Sequence, residues 1–424
     1  MLWNVTKNDS LMKRFFLYLL TILFFSVSIA GCSSSAREDD APGEWNSRSI
    51  LLQGGVSPSG YYYFQNSPTT MSGAYLSFFD ETSHKTAVLC DKAGCPHIDE
   101  ACRAYTGFAA PYLFYTNGNV FTIENSGYEL TLVRRDPDGS NREEVLTLLR
   151  DRMDTAKYAQ FYNYKVAGNS LYYIASLSYA VSEKPGDALE HEEYYLRRVD
   201  LTTFQEQELM QAAPNTTYTF IAANEQQVLL NAFTYPEEEP QELTDLNEEE
   251  LRSLLENRKV QILLWDKHDG SVKTLLKSNR WETVAGMAAH GDSLYVLRWE
   301  DNRTTNSIQK ISLTNGEATT IFRSNKMISN YMVLNEEEIV LREDYDLNLY
   351  SLKDFQKLPM PPISLPDSIE QATKDGYILW RTLKTKGDDP LNSEVTQSAL
   401  SYISKEDVEN GKENFLDFYI QHYE

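Results

Sequence analysis

Apolar and polar positions alternate along most of this chain in short runs, and the runs recur as a unit. Each unit opens on Gly, Asn or Asp, continues through aromatic and β-branched residues, and is followed by a second run, a polar turn and a third short run. Gly60-Tyr61-Tyr62-Tyr63-Phe64 leads to Tyr75-Leu76-Ser77-Phe78-Phe79 and then Thr86-Ala87-Val88-Leu89. Gly118-Asn119-Val120-Phe121-Thr122-Ile123 leads to Leu130-Thr131-Leu132-Val133, and Gly291-Asp292-Ser293-Leu294-Tyr295-Val296 leads to Ile308-Gln309-Lys310-Ile311. Runs of this length bounded by turn formers predict strands. The pairs Asp269-Gly270 and Asn315-Gly316 supply the positive φ that tight hairpins need.

Taking Gly60, Gly118, Gly168, Gln226, Gly291, Glu337 and Gly376 as markers gives seven units, spaced 58, 50, 58, 65, 46 and 39 residues apart. A propeller blade takes about 40–50 residues, so several units carry insertions. The predicted fold is all-β: a β-propeller of about seven four-stranded blades, with a helical loop insertion. Radial sheets are sandwiched between neighbours and need bulky residues on both faces, so an aromatic triplet such as Tyr61-Tyr62-Tyr63 reads as core packing rather than a stacking platform for a sugar. A ring must also close. Pairing of residues 50–53 with residues 416–420 is the expected way of removing the open sheet edges.

The longest spacing has a local cause. Residues 236–250 hold eight acids and no base, and Leu251, Leu254 and Leu255 then fall at helical spacing. Asn247 suits an N-cap, with Glu248, Glu249 and Glu250 in the first turn where the helix dipole favours negative charge. An acidic helical loop over about residues 236–259 of the fourth unit is therefore expected, as a solvated helix with one apolar edge on the blade.

Composition narrows the class. Hydrophobic residues at 42% and charged residues at 24% exclude wholesale disorder and a multi-span membrane protein. A net charge of −23 repels phosphate backbones, which excludes general nucleic-acid binding. At the start of the chain, Lys13 and Arg14 precede apolar residues 15–29, then Ala30, Gly31 and Cys32. A basic region, a short apolar core and small residues at the cleavage point describe a secretory signal peptide over residues 1–31, with Met12 as an alternative start to Met1. A spanning helix needs about 20 apolar residues, and this run is shorter. Residues 32–47 are largely small and polar and read as a flexible tether, leaving residues 48–424 for the propeller domain.

Two resemblances add to this. Ile29-Ala30-Gly31-Cys32 resembles the lipobox of bacterial lipoproteins, which implies a diacylglycerol thioether on Cys32, cleavage after Gly31 and residence on the outer face of the cell membrane. Two acyl chains suffice for stable anchoring, at about 0.8 kcal/mol per buried methylene. The leader carries Lys7, Lys13, Arg14 and Asp9, so the chain from Cys32 onward has a net charge of −25 and is repelled by anionic lipid. The bilayer is thus a partner through the acyl chains only. Leu132-Val133-Arg134-Arg135-Asp136-Pro137-Asp138-Gly139-Ser140-Asn141-Arg142 is similar to the repeats of TolB-like propellers, and the Gly-aromatic units resemble those of propeller lipoproteins of Gram-positive bacteria. That likeness covers most of residues 50–424.

The most distinctive local chemistry is Cys90, Cys95, His97 and Cys102, within thirteen residues. A cysteine-rich loop after the first unit is also what the lipoprotein resemblance implies. Three thiolates and an imidazole make a Cys₃His tetrahedral set for zinc, although one residue between Cys95 and His97 departs from common finger spacings. A disulfide among Cys90, Cys95 and Cys102 suits an extracytoplasmic compartment but leaves one thiol over. Either way the expected role is to staple a loop between the first and second blades. The histidines His84, His97, His191, His268, His290 and His422 are scattered, and no nucleophile elbow, Walker loop or dinucleotide fingerprint occurs, so no catalytic residue is assigned. Acidic pairs such as Asp136/Asp138 and Glu192/Glu193 give no readable carboxylate separation. Asp136-Pro137-Asp138-Gly139-Ser140 lacks the later bidentate Glu of a calcium loop and is read as a hairpin turn. The expected function is non-catalytic binding of a protein, peptide or glycan at the cell surface; the alternative is a polysaccharide-active hydrolase or lyase on the same scaffold.

Overall fold

The computed structural model describes residues 44–48, 54–66, 73–98, 101–106, 112–126, 129–153, 158–180, 190–235, 259–278, 283–299, 306–344, 346–363, 367–386 and 394–423. Residues 1–31, expected to be a signal peptide, Cys32 and most of the expected tether belong to a separate unit, Met1–Pro42, and lie outside the described residues, as do residues 49–53 and, but for Lys259, the acidic loop expected to be helical over about residues 236–259.

Within Gly43–Glu424 seven antiparallel sheets follow one another along the chain, each a four-stranded meander. Among the described residues the first sheet is extended by a short fifth strand, Tyr105–Thr106. Buried apolar side chains fall into seven clusters, and each cluster draws on two consecutive sheets. Seven sheets in an open row would have six such interfaces. The seventh joins Tyr61, Tyr63 and Phe79 of the first blade to Ile378, Leu400 and Tyr402 of the last, so the sheets form a closed ring, the expected propeller.

Two-residue periodicity explains why every interface fills. In the strand Gly60–Asn66, Tyr61 and Tyr63 face the seventh blade while Tyr62 and Phe64 face the second. In Ser170–Ala180, Leu171 and Tyr173 face the second blade while Tyr172 and Ile174 face the fourth. Successive side chains of a strand point to opposite faces, so a run that is apolar at every position seals two interfaces at once. The triplet Tyr61-Tyr62-Tyr63 is at most 3% exposed and is core, as expected.

Each unit read from the sequence begins at the second strand of its blade. The innermost strands, such as Tyr158–Ala167, Thr216–Ala223 and Thr283–His290, escaped that reading. Their periodicity is broken: the register slips at Tyr162/Tyr164, Phe220/Ala222, Gly286/Ala288, Ile328/Asn330 and Ile369/Gln371. A bulge of this kind inserts one residue and increases the local twist. Around the crowded axis these strands also favour small side chains, among them Ala167, Ala222, Ala223, Ala288 and Ala289, all buried.

Residues 50–53, expected to pair with residues 416–420, lie outside the described residues. Among the described residues Leu416–His422 pairs with Glu394–Ser404, in a last blade whose four described strands come from the C-terminal part of the chain. Side-chain packing joins the first and last blades. Phe418 stacks on Phe79 at 4.4 Å between ring centroids and meets Tyr63 edge-on at 5.2 Å. The Tyr419 hydroxyl accepts from the Asn66 amide at 3.1 Å, and the buried Glu81 carboxylate accepts from the Thr373 hydroxyl and from the Asp375 amide. The insertion at 236–258 emerges where expected, between the second and third strands of blade four, whose ends pair Thr234 with Lys259.

Because Phe79 is fully buried at the closing interface, Phe79→Ala is expected to cost about 3–5 kcal/mol in urea unfolding. Val272→Ala, at a 45% exposed position, should stay within about 0.5 kcal/mol of the parent.

Candidate metal centre and channel strap

The outermost strand of blade one, Lys85–Val88, stops early, and Tyr105–Thr106 resumes its line along the same neighbouring strand. Between them the chain leaves as a loop whose neck is held by one residue. The Leu76 carbonyl accepts from the Leu89 amide, and the Leu76 amide donates to the Ala104 carbonyl, both at 2.9 Å. The neighbouring blade supports this neck. Gly139, in the hairpin turn of blade two at φ +82°, lies so close that a Cβ there would sit 2.4 Å from the Leu89 carbonyl oxygen. Only glycine permits both that backbone and that approach.

At the loop's far end Cys90, Cys95, His97 and Cys102 converge, one donor atom from each lying within 4.8 Å of all the others. His97 Nδ1 is 3.2 Å from Cys102 Sγ. His97 takes φ +52° and Gly94 φ +70°, two left-handed residues that fold the loop back on itself. A tetrahedral ion bound to sulfur at about 2.3 Å places its ligand atoms about 3.7 Å apart, so the set fits such an ion once its widest pair closes by about 1 Å. No disulfide joins the three thiols.

Backbone amides reach two of the sulfurs, with opposite net outcomes. Burial by itself raises the Cys90 thiol pKa, but the amides of Lys92 and Arg103 and the neighbouring thiols outweigh it and hold the group below the usual cysteine value. Cys102, deeper in the protein, is pushed up to about 12 by burial, partly offset by the Ala104 amide. A bound cation reverses that penalty, because a coordinating thiol is deprotonated outright. Amide-to-sulfur bonds from the residue two positions on (Lys92 to Cys90, Ala104 to Cys102) orient the ligands from outside the coordination sphere. Around the cluster, Cys102, Leu89 and Ala104 pack with Leu113 and Val120 of blade two, so the loop lies at the interface between blades one and two, the position expected from the sequence.

A second constellation was not legible in the sequence. Residues 44–47, read as the end of the tether, are built into the propeller, whose unit begins at Gly43. Trp45 is 5% exposed and inserts between blades four and five against Ile221, Leu229, Val284 and Leu294. Asn46 forms a two-way main-chain bridge with Ala223, at 2.7 and 3.0 Å. Its side-chain amide donates to the Val166 carbonyl at 2.6 Å. The Ser47 hydroxyl donates to the Ala289 carbonyl at 3.1 Å and accepts from the Ala289 amide at 2.8 Å. Arg48 pairs with Glu336 at 2.9 Å. Five residues thus strap the inner ends of blades three to six. Beside the strap is a cavity of about 290 Å³, bounded also by Gly55 and Val56 of blade one, Tyr115 of blade two and Gln371 of blade seven. The available signal was Trp45 itself, a large apolar residue inside an otherwise polar linker.

Beneath the strap, Lys165 is 2% exposed and its ammonium donates to the Ser47 carbonyl. Burial, with the Arg48 charge adding to it, drives the Lys165 pKa down to about 7. The acidic residues singled out in the sequence lie on two different blades. Asp136 and Asp138 cap their own hairpin turn through Asn141 and Ser140, as expected of a turn, whereas Glu193 lies on a strand of blade three.

Two outcomes follow from these sites. Metal analysis of the purified protein should find one thiophilic ion per chain, lost in Cys102→Ser. That loss should lower stability by about 2–4 kcal/mol, the amount a cross-link closing a loop of this size supplies. For Lys165 the folded pKa lies below the unfolded value of about 10.4, so the unfolded chain holds the extra proton between about pH 7 and 10.4, and this group's contribution to stability rises with pH across that window. Unfolding midpoints at pH 6.5 and 9 should therefore differ less in Lys165→Met than in the parent.

No protein-family model and no curated protein matches this chain. Solved structures do. One of two structurally and mechanistically analysed prolyl endopeptidases superposes with a TM-score of 0.52 at 12% identity, over 90% of this chain and 50% of its own, so this chain spans half that enzyme's length. An oligogalacturonate lyase in complex with manganese gives 0.41 at 12% identity, over 75% of this chain and 85% of its own. TolB from Acinetobacter baumannii gives 0.33 at 11% identity, over 74% and 62%. What this chain has in common with the first of them is the propeller fold.

Proposed function

We propose that this protein is a lipid-anchored propeller at the outer face of the cell membrane that binds a protein, peptide or glycan and carries out no chemistry of its own. The observation that supports this reading most directly is the strap. Residues 44–48 fill the inner ends of blades three to six, and the one buried amine there is committed to the strap's own carbonyl. This end of the channel, where a catalytic constellation would be sought, is occupied in part by the protein's own chain.

The Cys₃His centre is read in the same sense. Three sulfurs and one imidazole nitrogen form a soft donor set that suits zinc. With all four positions supplied by protein, no site remains for water or substrate, so the ion is structural. Manganese prefers carboxylate, carbonyl and water ligands, so the ion held by the lyase has no counterpart in these donors. Anchoring rests on the sequence: Lys13 and Arg14, apolar residues 15–29, and Cys32 behind Ala30-Gly31.

Two measurements test the reading. Fractionation with labelled fatty acid should place the parent in the membrane with label on Cys32, and Cys32→Ser should lose both the label and membrane retention. Incubation with a polysaccharide and peptide panel should give saturable capture of one class with no change in its chain length. Shortened or unsaturated oligosaccharide products would instead establish the hydrolase or lyase alternative.

A further inference from the structure

We propose that the strapped end of the propeller channel is a peptide-binding site, held in this structure by the protein's own residues 44–48, and that its ligand class is an extended peptide with an aromatic anchor followed by short polar residues and a base. The choice of peptide among ligand classes rests on the binding reading above.

The strap is held as a peptide ligand is held. Extended peptides bind by adding main-chain hydrogen bonds to an exposed strand edge, with side-chain pockets giving specificity. Asn46 does the first, bridging the free edge of the innermost strand Thr216–Ala223 in both directions. Trp45 does the second, buried in an apolar pocket between blades four and five, and buried tryptophans are among the commonest binding hot spots. Asn46 and Ser47 then satisfy the Val166 carbonyl and both main-chain groups of Ala289, and Arg48 reaches Glu336 at the rim.

The strap is also not part of any sheet. Among the described residues its strand pairing is one isolated bridge, and each of the seven sheets has its four strands without it. Beside it, the cavity of about 290 Å³ is walled by inner-strand residues Gly55, Val56, Tyr115 and Val166 and is not filled by the strap. That space is at the lower end of small-molecule pockets and accommodates a ligand that reaches further around the axis than the strap does. A segment tethered beside its own site acts at an effective concentration in the millimolar range, so the strap excludes a weak free peptide while it remains in place.

The test uses the acetylated and amidated peptide Glu-Trp-Asn-Ser-Arg carrying a fluorophore, the parent protein, W45A, and a variant with residues 44–48 replaced by a glycine–serine linker of equal length. The linker variant is expected to bind the peptide at least tenfold more tightly than the parent does, and W45A to fall between them. An alanine in place of the peptide's tryptophan should cost at least tenfold in affinity. If the linker variant does not fold alone, added peptide should restore its cooperative unfolding transition. Equal binding by parent and linker variant, no binding by a folded linker variant, or a misfolded one that the peptide does not rescue would each overturn the proposal. Glycan capture by the parent, measured separately, distinguishes this failure from failure of the broader binding reading.

Discussion

A sheet with two apolar faces cannot stand in water by itself, and every blade of this protein is such a sheet. The second strands, Tyr61 to Phe64 and Leu171 to Ile174 among them, send alternate side chains into both neighbours. Each blade is therefore stable only between two others, and a row of blades is stable only when its ends meet. The contact of Phe79 and Tyr63 with Phe418 is the place where they meet. Hydrogen bonds from Thr373 and the Asp375 amide to Glu81 add direction to that contact, because a buried carboxylate must find donors.

Residues 44–48 cross the channel end and tie blades three to six together by bonds that no sheet contains. A stretch that would otherwise be linker supplies an apolar anchor, Trp45, exactly once, and around it a set of main-chain partners. The Cys/His loop is a comparable device at the ring's rim. It departs from the outer strand of blade one, returns to the same line, and is closed at its neck by Leu76, while four side chains that could hold a metal ion converge at its tip. Gly139 of blade two brings the next sheet against that neck.

Much of this was legible in the sequence. The strand runs, the number of units, the interruption between Thr234 and Lys259 and the hairpin at Asp136–Asn141 all depend on interactions between residues close along the chain, or on the two-residue alternation that any strand imposes. The convergence of Cys90, Cys95, His97 and Cys102 was legible because they are near neighbours in sequence, and their residue types limit what they can do. The innermost strands were not, because bulges at positions such as Asn163 and Met287 break the alternation by which strands are recognised.

The sequence by itself determined that the protein is a ring of about seven similar sheets, that aromatic residues are its core, and that one loop gathers three cysteines and a histidine. Only the tertiary structure decided how the ring closes, where the channel is filled and which carbonyl Lys165 meets. Those outcomes pair residues separated by more than a hundred positions (Lys165 with Ser47, Phe79 with Phe418), and such pairs leave no local periodicity because their partners are set by the geometry of the assembled ring.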